Sequence, residues 1–159
     1  MTTAVHALES SGIGRAMRES LWLYPSVETV HIIGLAIVYG SIVVVDLRLM
    51  GISRTLSAAK LARFALPWTV GAFLVVMLTG SLMFTAHAED FLGNGVFLLK
   101  MGLILAAGVN AGLLHAGAFR HVNSWDEGVL PPIGVRVAAA LSIVLWTCVI
   151  ACGRLLAYT

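Results

Sequence analysis

The sequence has 159 residues, of which 59% are hydrophobic and 11% are charged, and its formal net charge is +2 at pH 7. Soluble domains carry roughly 25% charged residues, so this composition excludes an ordinary soluble domain and indicates an integral membrane protein. The small net charge, without a basic run, excludes a nucleic-acid-binding protein. We expect a single transmembrane domain over residues 1–159, because the length leaves no room for a second one.

The N-terminal part of the chain predicts a short amphipathic helix at the lipid surface. Residues 7–23 repeat apolar side chains at helical spacing and place Arg15 and Arg18 on other faces. Such a helix rests in the plane of the membrane interface. A frayed terminus is the alternative reading, because the apolar face is thin.

Four apolar segments are long enough to cross a bilayer, since a spanning helix needs about 20 mainly apolar residues. They lie at about 27–47, 66–86, 96–119 and 133–155 and are joined by short loops. Short loops make successive helices run antiparallel. The sequence therefore predicts an all-α membrane four-helix bundle with up-down-up-down topology, which assembles with copies of itself or with a partner.

The first span carries Glu28, His31, Tyr39 and Asp46 along one stripe, less than a third of the helix circumference wide. Ionisable side chains are costly in lipid, so this stripe must face other helices or a cavity. Glu28 and Asp46 lie near the span ends, where a structural role through the helix dipole or Arg48 is as reasonable as a functional one. His31 lies about one turn deeper between apolar neighbours and is the stronger functional candidate.

The second span ends at His87, which antiparallel topology places on the same outer side of the bilayer as His31. Gly80, two turns deeper, leaves space for a flat group against the helix. Two imidazoles on facing helices suit a bis-histidine haem b, a cofactor of electron transfer. The sequence therefore predicts His31 and His87 as the axial metal ligands of one haem. The alternative is that His87 is only an interfacial residue.

Other polar residues have candidate roles around this haem. Arg15 and Arg18 are placed to meet its propionates, and Glu28 to orient an imidazole or handle a proton. His115 lies near the inner side, where it either binds a cofactor with no identified partner or hydrogen-bonds across helices. His121 follows six residues later and points in a different direction.

Two alternatives come from other functional classes. A copper-handling protein would use the soft ligands His31, Met83 and His87, with Cys148 and Cys152 on the same side. Buried inert cysteines are the commoner fate of such a pair. A scaffold without cofactor would use the polar stripe only to keep helices in register. A hydrolase is disfavoured, because the sequence has no nucleophile elbow, zinc-peptidase helix or phosphate loop.

The basic residues predict the orientation of the bundle. Six of them flank the span ends on one side, and at most four lie on the other: the six are Arg48, Arg54, Lys60, Arg63, Arg120 and Arg136. The side richer in Lys and Arg is the cytoplasmic one. We therefore expect a multi-pass protein of the bacterial inner membrane with both termini in the periplasm.

The runs "RESLWLYPSVETVHIIGLAIVYGSIVVVDLRLMG" and "FLLKMGLILAAGVNAGLLHAG" resemble a family of small bacterial four-span membrane proteins of unknown function. The resemblance covers about Arg18 to Phe119 and is most specific in "LYPSVETVH" and "DLRLMG". It implies a fold and a membrane, and no reaction.

More distantly, four spans with histidines near their ends resemble the cytochrome b561-like quinol and superoxide oxidases. The piece "LLKMGLIL" is similar to the CopD-type copper-resistance membrane proteins. The cytochrome resemblance implies haem ligation by His31, His87 and His115, a quinol donor in the bilayer and a periplasmic acceptor protein. It leaves open whether the protein is a quinol-linked oxidoreductase or an electron-transfer subunit. The sequence departs from the fuller cytochromes in lacking a fourth histidine partner on the inner side, which favours one haem.

Overall fold

The computed structural model describes residues 2–158, and their regular structure is helical throughout. The helices are α1 (Thr2–Glu9), α2 (Gly12–Glu19), α3 (Leu23–Leu49), α4 (Ala58–Ala86), α5 (Ala88–Gly93), α6 (Gly95–Ala116) and α7 (Ile133–Leu155), with a 3₁₀ helix at Ala118–Ser124. Four of them, α3, α4, α6 and α7, are long and apolar enough to cross a membrane. The predicted all-α membrane four-helix bundle is therefore confirmed.

The four long helices alternate in direction. α3 and α6 begin at the end of the bundle that carries His87, and α4 and α7 begin at the end that carries Trp125. We call these the His87 end and the Trp125 end. α3 packs along α4 and against α7, and α6 packs along α7. In the described part of the chain, α4 and α6 pack much less closely than these pairs, and stacked phenylalanine rings join them at the His87 end.

The helix boundaries differ from the predicted spans most at α4 and α6, and α3 begins at Leu23 rather than near residue 27. α4 begins at Ala58 rather than near residue 66, because the Ser57 hydroxyl accepts a hydrogen bond from the Lys60 N–H and caps the helix there. Pro67, which favours a helix start in a sequence, lies inside α4 instead. α6 ends at Ala116, and the predicted remainder of that span continues as the 3₁₀ helix.

The N-terminal segment forms two short helices where the sequence predicts one. The helix is interrupted before Ser11. The Ser11 hydroxyl accepts a hydrogen bond from the Gly14 N–H and caps the start of α2. A Cβ atom at Gly14 would lie 2.6 Å from the Glu9 carbonyl and 2.9 Å from the Thr85 carbonyl, so glycine allows α2 to approach α4. Met17 is only 1% exposed and completes this contact, so α2 is docked rather than frayed.

The loops at the Trp125 end are held by one carboxylate. Asp126 accepts the Ala59 N–H at 2.8 Å and the Ser57 hydroxyl at 2.6 Å, so it caps α4 together with Ser57. The buried Arg48 guanidinium donates to the main-chain carbonyls of Leu56 and Asp126. Burial raises the pKa of the Asp126 carboxyl, but these hydrogen bonds and the Arg48 charge outweigh it and hold the pKa below its ordinary value.

Candidate functional site

His31 is held against α4 by Thr79. Its Nδ1 atom lies 2.8 Å from the Thr79 hydroxyl, which is also 2.7 Å from the Val75 carbonyl. In the tautomer that carries its proton on Nδ1, His31 donates to Thr79 while Thr79 donates to the Val75 carbonyl. In that tautomer Nε2 carries the lone pair that can bind a metal or a proton.

Gly80 lies directly against the His31 ring. A Cβ atom at this position would lie 3.2 Å from His31 Cε1. The His31 ring therefore lies in the space beside Gly80 that the sequence assigns to a flat cofactor. A turn deeper, a Cβ atom at Gly34 would lie 2.8 Å from Val76 Cγ2, so α3 and α4 are in close contact.

Lys100 brings a positive charge into the same region. Its Nζ atom lies 3.8 Å from the Cβ position of Gly153 on α7, next to the buried Cys152. Its charge acts on both the His31 ring and the Cys152 thiol. We define the His31 centre as His31, Thr79, Lys100 and Cys152, one residue from each long helix. Among the ion pairs of residues 2–158, none involves Lys100.

Sequence reasoning did not select Lys100, because a lysine one turn inside a span ordinarily extends to the membrane surface. Its participation depends on the packing of α6 against α7, which no local pattern reveals. Because Gly153 has no side chain, the end of the Lys100 side chain can lie close to α7. This glycine is the feature of the sequence that is consistent with the contact.

An open pocket of about 480 Å³ lies at the His87 end, a volume within the range of small-molecule sites. It is lined by Tyr24, His87, Asp90, Phe91, Gly93, Asn94 and Leu156. His87 Nδ1 lies 3.6 Å from Asp90 Oδ2, and the His87 ring meets Tyr24 edge to face. At 1.5 Å per helical residue, the pocket lies about 6–11 Å along the bundle axis from the His31 centre.

The structure does not bring His31 and His87 to a common point. His31 contacts Gly80, and His87 lies seven residues further along the chain, about 10 Å along the axis of α4. Two imidazoles on one metal hold their nitrogen atoms about 4 Å apart, at roughly 2 Å per bond. In this arrangement the two histidines lie at different depths of the bundle and do not fit a haem held by both.

The other residues predicted around the haem lie at the surface of the His87 end. Arg15 and Glu28 are exposed. Arg18 donates hydrogen bonds to the carbonyls of Ala86 at 2.9 Å and Glu9 at 2.7 Å, so its guanidinium ties α2 to the end of α4. Lys100, in contrast, interacts electrostatically with His31.

His115 lies far from the His31 centre, toward the Trp125 end of α6. It is exposed, its Nδ1 atom lies 2.9 Å from the Ala111 carbonyl, and its ring stacks on Phe119. The side chain of His121 lies outside the described part of the structure. No other histidine whose side chain the structure describes lies beside His115.

Two further polar residues of the stripe, Tyr39 and Asp46, face α7. The Tyr39 hydroxyl lies 2.9 Å from the Thr147 hydroxyl, and Asp46 is buried opposite the Ser142 hydroxyl. With His31 against α4, three residues of the stripe face other helices, whereas Glu28 is exposed. Asp46 Oδ2 has no hydrogen-bond partner.

The predicted copper ligands do not form a cluster. Cys148 is exposed and Cys152 is buried beside Lys100. Across the described residues, the groups of three His, Cys, Asp or Glu side chains with metal-ligand spacing are limited to His6, Glu9 and Glu89. Sequence reasoning missed this group, because Glu9 and Glu89 are eighty residues apart and His6 lies in a polar stretch.

Comparison with known proteins adds a family and no activity. No curated protein and no solved structure matches the chain. One family model matches residues 10–159, and this agrees with the resemblance to a four-span family of unknown function. It carries no link to cytochrome b561-like or CopD-type proteins. The chain belongs to the family of unknown function DUF6644.

Proposed function

We propose that this multi-pass membrane protein carries electrons through a b-type haem bound by His31 Nε2. The observation that carries the proposal is the Thr79 hydrogen bond, which leaves Nε2 available. Histidines that bind metals commonly donate their other N–H to a fixed acceptor in this way, since that bond sets the tautomer and the ring orientation. When bound, the haem iron supplies one-electron redox chemistry.

The surroundings of His31 support a planar, anionic group. α4 and α6 pack much less closely than the neighbouring helix pairs, and Gly80 presents no side chain toward the His31 ring. Lys100 supplies a positive charge for a propionate, which is the role that the sequence assigns to Arg15 and Arg18. A second axial bond from His87 requires the end of α4 to move, so we assign His87 to the pocket.

The pocket is our candidate site for a quinol in the bacterial inner membrane. The imidazole of His87 and the carboxylate of Asp90 form a pair that can accept a proton from a quinol hydroxyl. A quinol releases two electrons and two protons as it becomes a quinone. In this proposal the protons leave through His87 and Asp90, and the electrons pass one at a time through the His31 centre to a periplasmic protein.

The test is a visible absorption spectrum of protein made with ample haem, oxidised and then reduced with dithionite. We expect a haem spectrum with the broad reduced band of a haem held by one histidine, which His31→Ala abolishes and the exposed control His115→Ala retains. His87→Ala should keep this spectrum and slow its reduction by a quinol. A sharp reduced band that is lost in His87→Ala would restore the bis-histidine pair, and a colourless protein would exclude the cytochrome.

A scaffold without cofactor is the second candidate, because hydrogen bonds join the long helices throughout the bundle. Ser41 and Thr69 hydroxyls lie 2.7 Å apart between α3 and α4, and the Asn110 amide donates to the Ala138 carbonyl at 3.0 Å between α6 and α7. Such bonds hold membrane helices in register. A stable, colourless and metal-free preparation would favour this function. A stable preparation that contains copper and no haem would favour copper handling instead.

A further inference from the structure

A group of metal-ligating side chains lies outside the bundle, where α1 meets the corner between α4 and α5. His6 Nε2 lies 3.2 Å from Glu89 Oε1, and Glu9 Oε1 accepts the Glu89 N–H at 2.9 Å. One ligand atom from each of these three side chains lies within 4.8 Å of the other two. An imidazole and two carboxylates therefore converge from two distant parts of the chain.

Within residues 2–158, no lysine or arginine balances the two carboxylates of this group, and neither Glu9 nor Glu89 forms an ion pair with one. The Arg18 guanidinium contacts this corner, but it donates to the main-chain carbonyls of Glu9 and Ala86 and not to the carboxylates. Two carboxylates held together repel each other, and a cation between them removes that repulsion.

Arg18 also fixes the position of the backbone that carries Glu9. By bonding the Glu9 and Ala86 carbonyls, Arg18 holds the end of α1 against the end of α4, three residues before Glu89. The two carboxylates are therefore positioned by the backbone and need no ion to bring them together. Preorganised ligands bind a metal without a large ordering cost.

We propose that His6, Glu9 and Glu89 bind one divalent transition-metal ion. One imidazole and two carboxylates are a donor set that Zn²⁺ accepts, with water in the fourth position of a solvent-exposed site. The alkaline-earth ions prefer oxygen ligands alone, so His6 gives the site its preference for Zn²⁺ over Mg²⁺. The ion ties α1 to α5, next to the His87 and Asp90 side of the pocket, and does not depend on the proposed haem.

The test is titration of the full-length, detergent-purified protein with Zn²⁺ by calorimetry, with a tag that contains no histidine. We expect one equivalent to bind, and His6→Gln and Glu89→Gln each to weaken binding at least about tenfold. Glu19→Gln, an exposed carboxylate on α2, is the matched control and should leave the affinity unchanged. Mg²⁺ at the same concentrations should not compete.

A second readout separates loss of ligand from loss of fold. Zn²⁺ should slow hydrogen exchange in α1 of the natural protein and not in His6→Gln, while both proteins melt at the same temperature in EDTA. Equal Zn²⁺ affinity in His6→Gln and Glu89→Gln would overturn the site as adventitious binding. Loss of binding in His87→Ala alone would also overturn it, because it would place the ion on His87 and Asp90.

Discussion

At the scale of single residues, the Thr79 hydroxyl lies between a main-chain carbonyl and an imidazole. This contact occupies His31 Nδ1, so Nε2 is the ring nitrogen left for a ligand. The sequence shows that His31 is a polar residue within a span. It does not show which nitrogen is available, because Thr79 is forty-eight residues away.

We expect Thr79→Val to separate the structural and functional roles of this hydrogen bond. The valine side chain keeps the shape but leaves His31 Nδ1–H without its acceptor, so the free energy of unfolding should fall by about 1 kcal/mol. The same change should weaken haem retention about 10- to 100-fold. Both are measured in detergent, by unfolding and by haem titration.

Ser81→Ala is the control for that experiment. The Ser81 hydroxyl donates to the Met77 carbonyl on its own helix, as Thr79 does to Val75, but it is exposed and contacts no imidazole. Equal losses in Ser81→Ala and Thr79→Val would show that the bond to His31 contributes nothing.

At the scale of helices, the contact between α3 and α4 depends on a glycine. A Cβ atom at Gly34 would lie 2.8 Å from Val76 Cγ2, whereas one at Gly40 would meet nothing within 4 Å. Both glycines lie on α3, and their sequence contexts do not distinguish them. Only the position of α4 decides which glycine is required for packing.

This contact predicts opposite effects for two equivalent substitutions. Gly34→Ala should destabilise the fold by about 1–3 kcal/mol, because it overpacks the interface. Gly40→Ala should be neutral or stabilise by up to about 1 kcal/mol, because alanine is the better helix former. Both are measured by unfolding in detergent. Adding Val76→Ala to Gly34→Ala should restore stability, and a failure to do so would contradict the assigned contact.

The start of α4 is a second feature that depends on a distant residue. Asp126 caps this helix from a loop sixty-seven residues later than Ala59, so the apolar run alone places the start too late. Removing the charge in Asp126→Asn should cost about 1–2 kcal/mol in the free energy of unfolding.

The lowered pKa of Asp126 sets the direction of its pH dependence. Its contribution is fully present above the unfolded pKa of about 4 and is lost as the pH falls through the lower folded pKa. The natural protein should therefore lose stability below about pH 4 more steeply than Asp126→Asn. The exposed Asp90→Asn is the control, and parallel curves for Asp126→Asn and the natural protein would contradict the assignment.

At the scale of the whole molecule, the two ends of the bundle have different structures. The Trp125 end is closed by packed loops, whereas the His87 end carries the pocket, the N-terminal helices and the His6 group. Both proposed sites therefore lie at the end of the bundle that the basic residues predict to face the periplasm.

Thiol labelling of intact cells checks this orientation. Asp90→Cys should react with a membrane-impermeant reagent, and Thr55→Cys should react only after the membrane is permeabilised. The natural protein is the blank, because Cys148 and Cys152 lie within the spanning helix α7. The reverse pattern would put the pocket on the cytoplasmic side and leave the His31 centre unchanged.

The sequence by itself determined the membrane class, the four spans and their alternating directions. Apolar runs of about 20 residues and short loops are local properties, and the bilayer imposes the rest. The polar stripe of α3 also followed from periodicity alone, because unpaired ionisable groups cannot face lipid.

Only the tertiary structure decided the depths of His31 and His87, the place of Lys100 and the meeting of His6 with Glu9 and Glu89. Each depends on how far one helix is shifted along another. That shift is set by contacts between distant residues, such as Gly34 with Val76 and Arg18 with the Ala86 carbonyl. Periodicity describes the faces of a single helix and carries no information about the register between two.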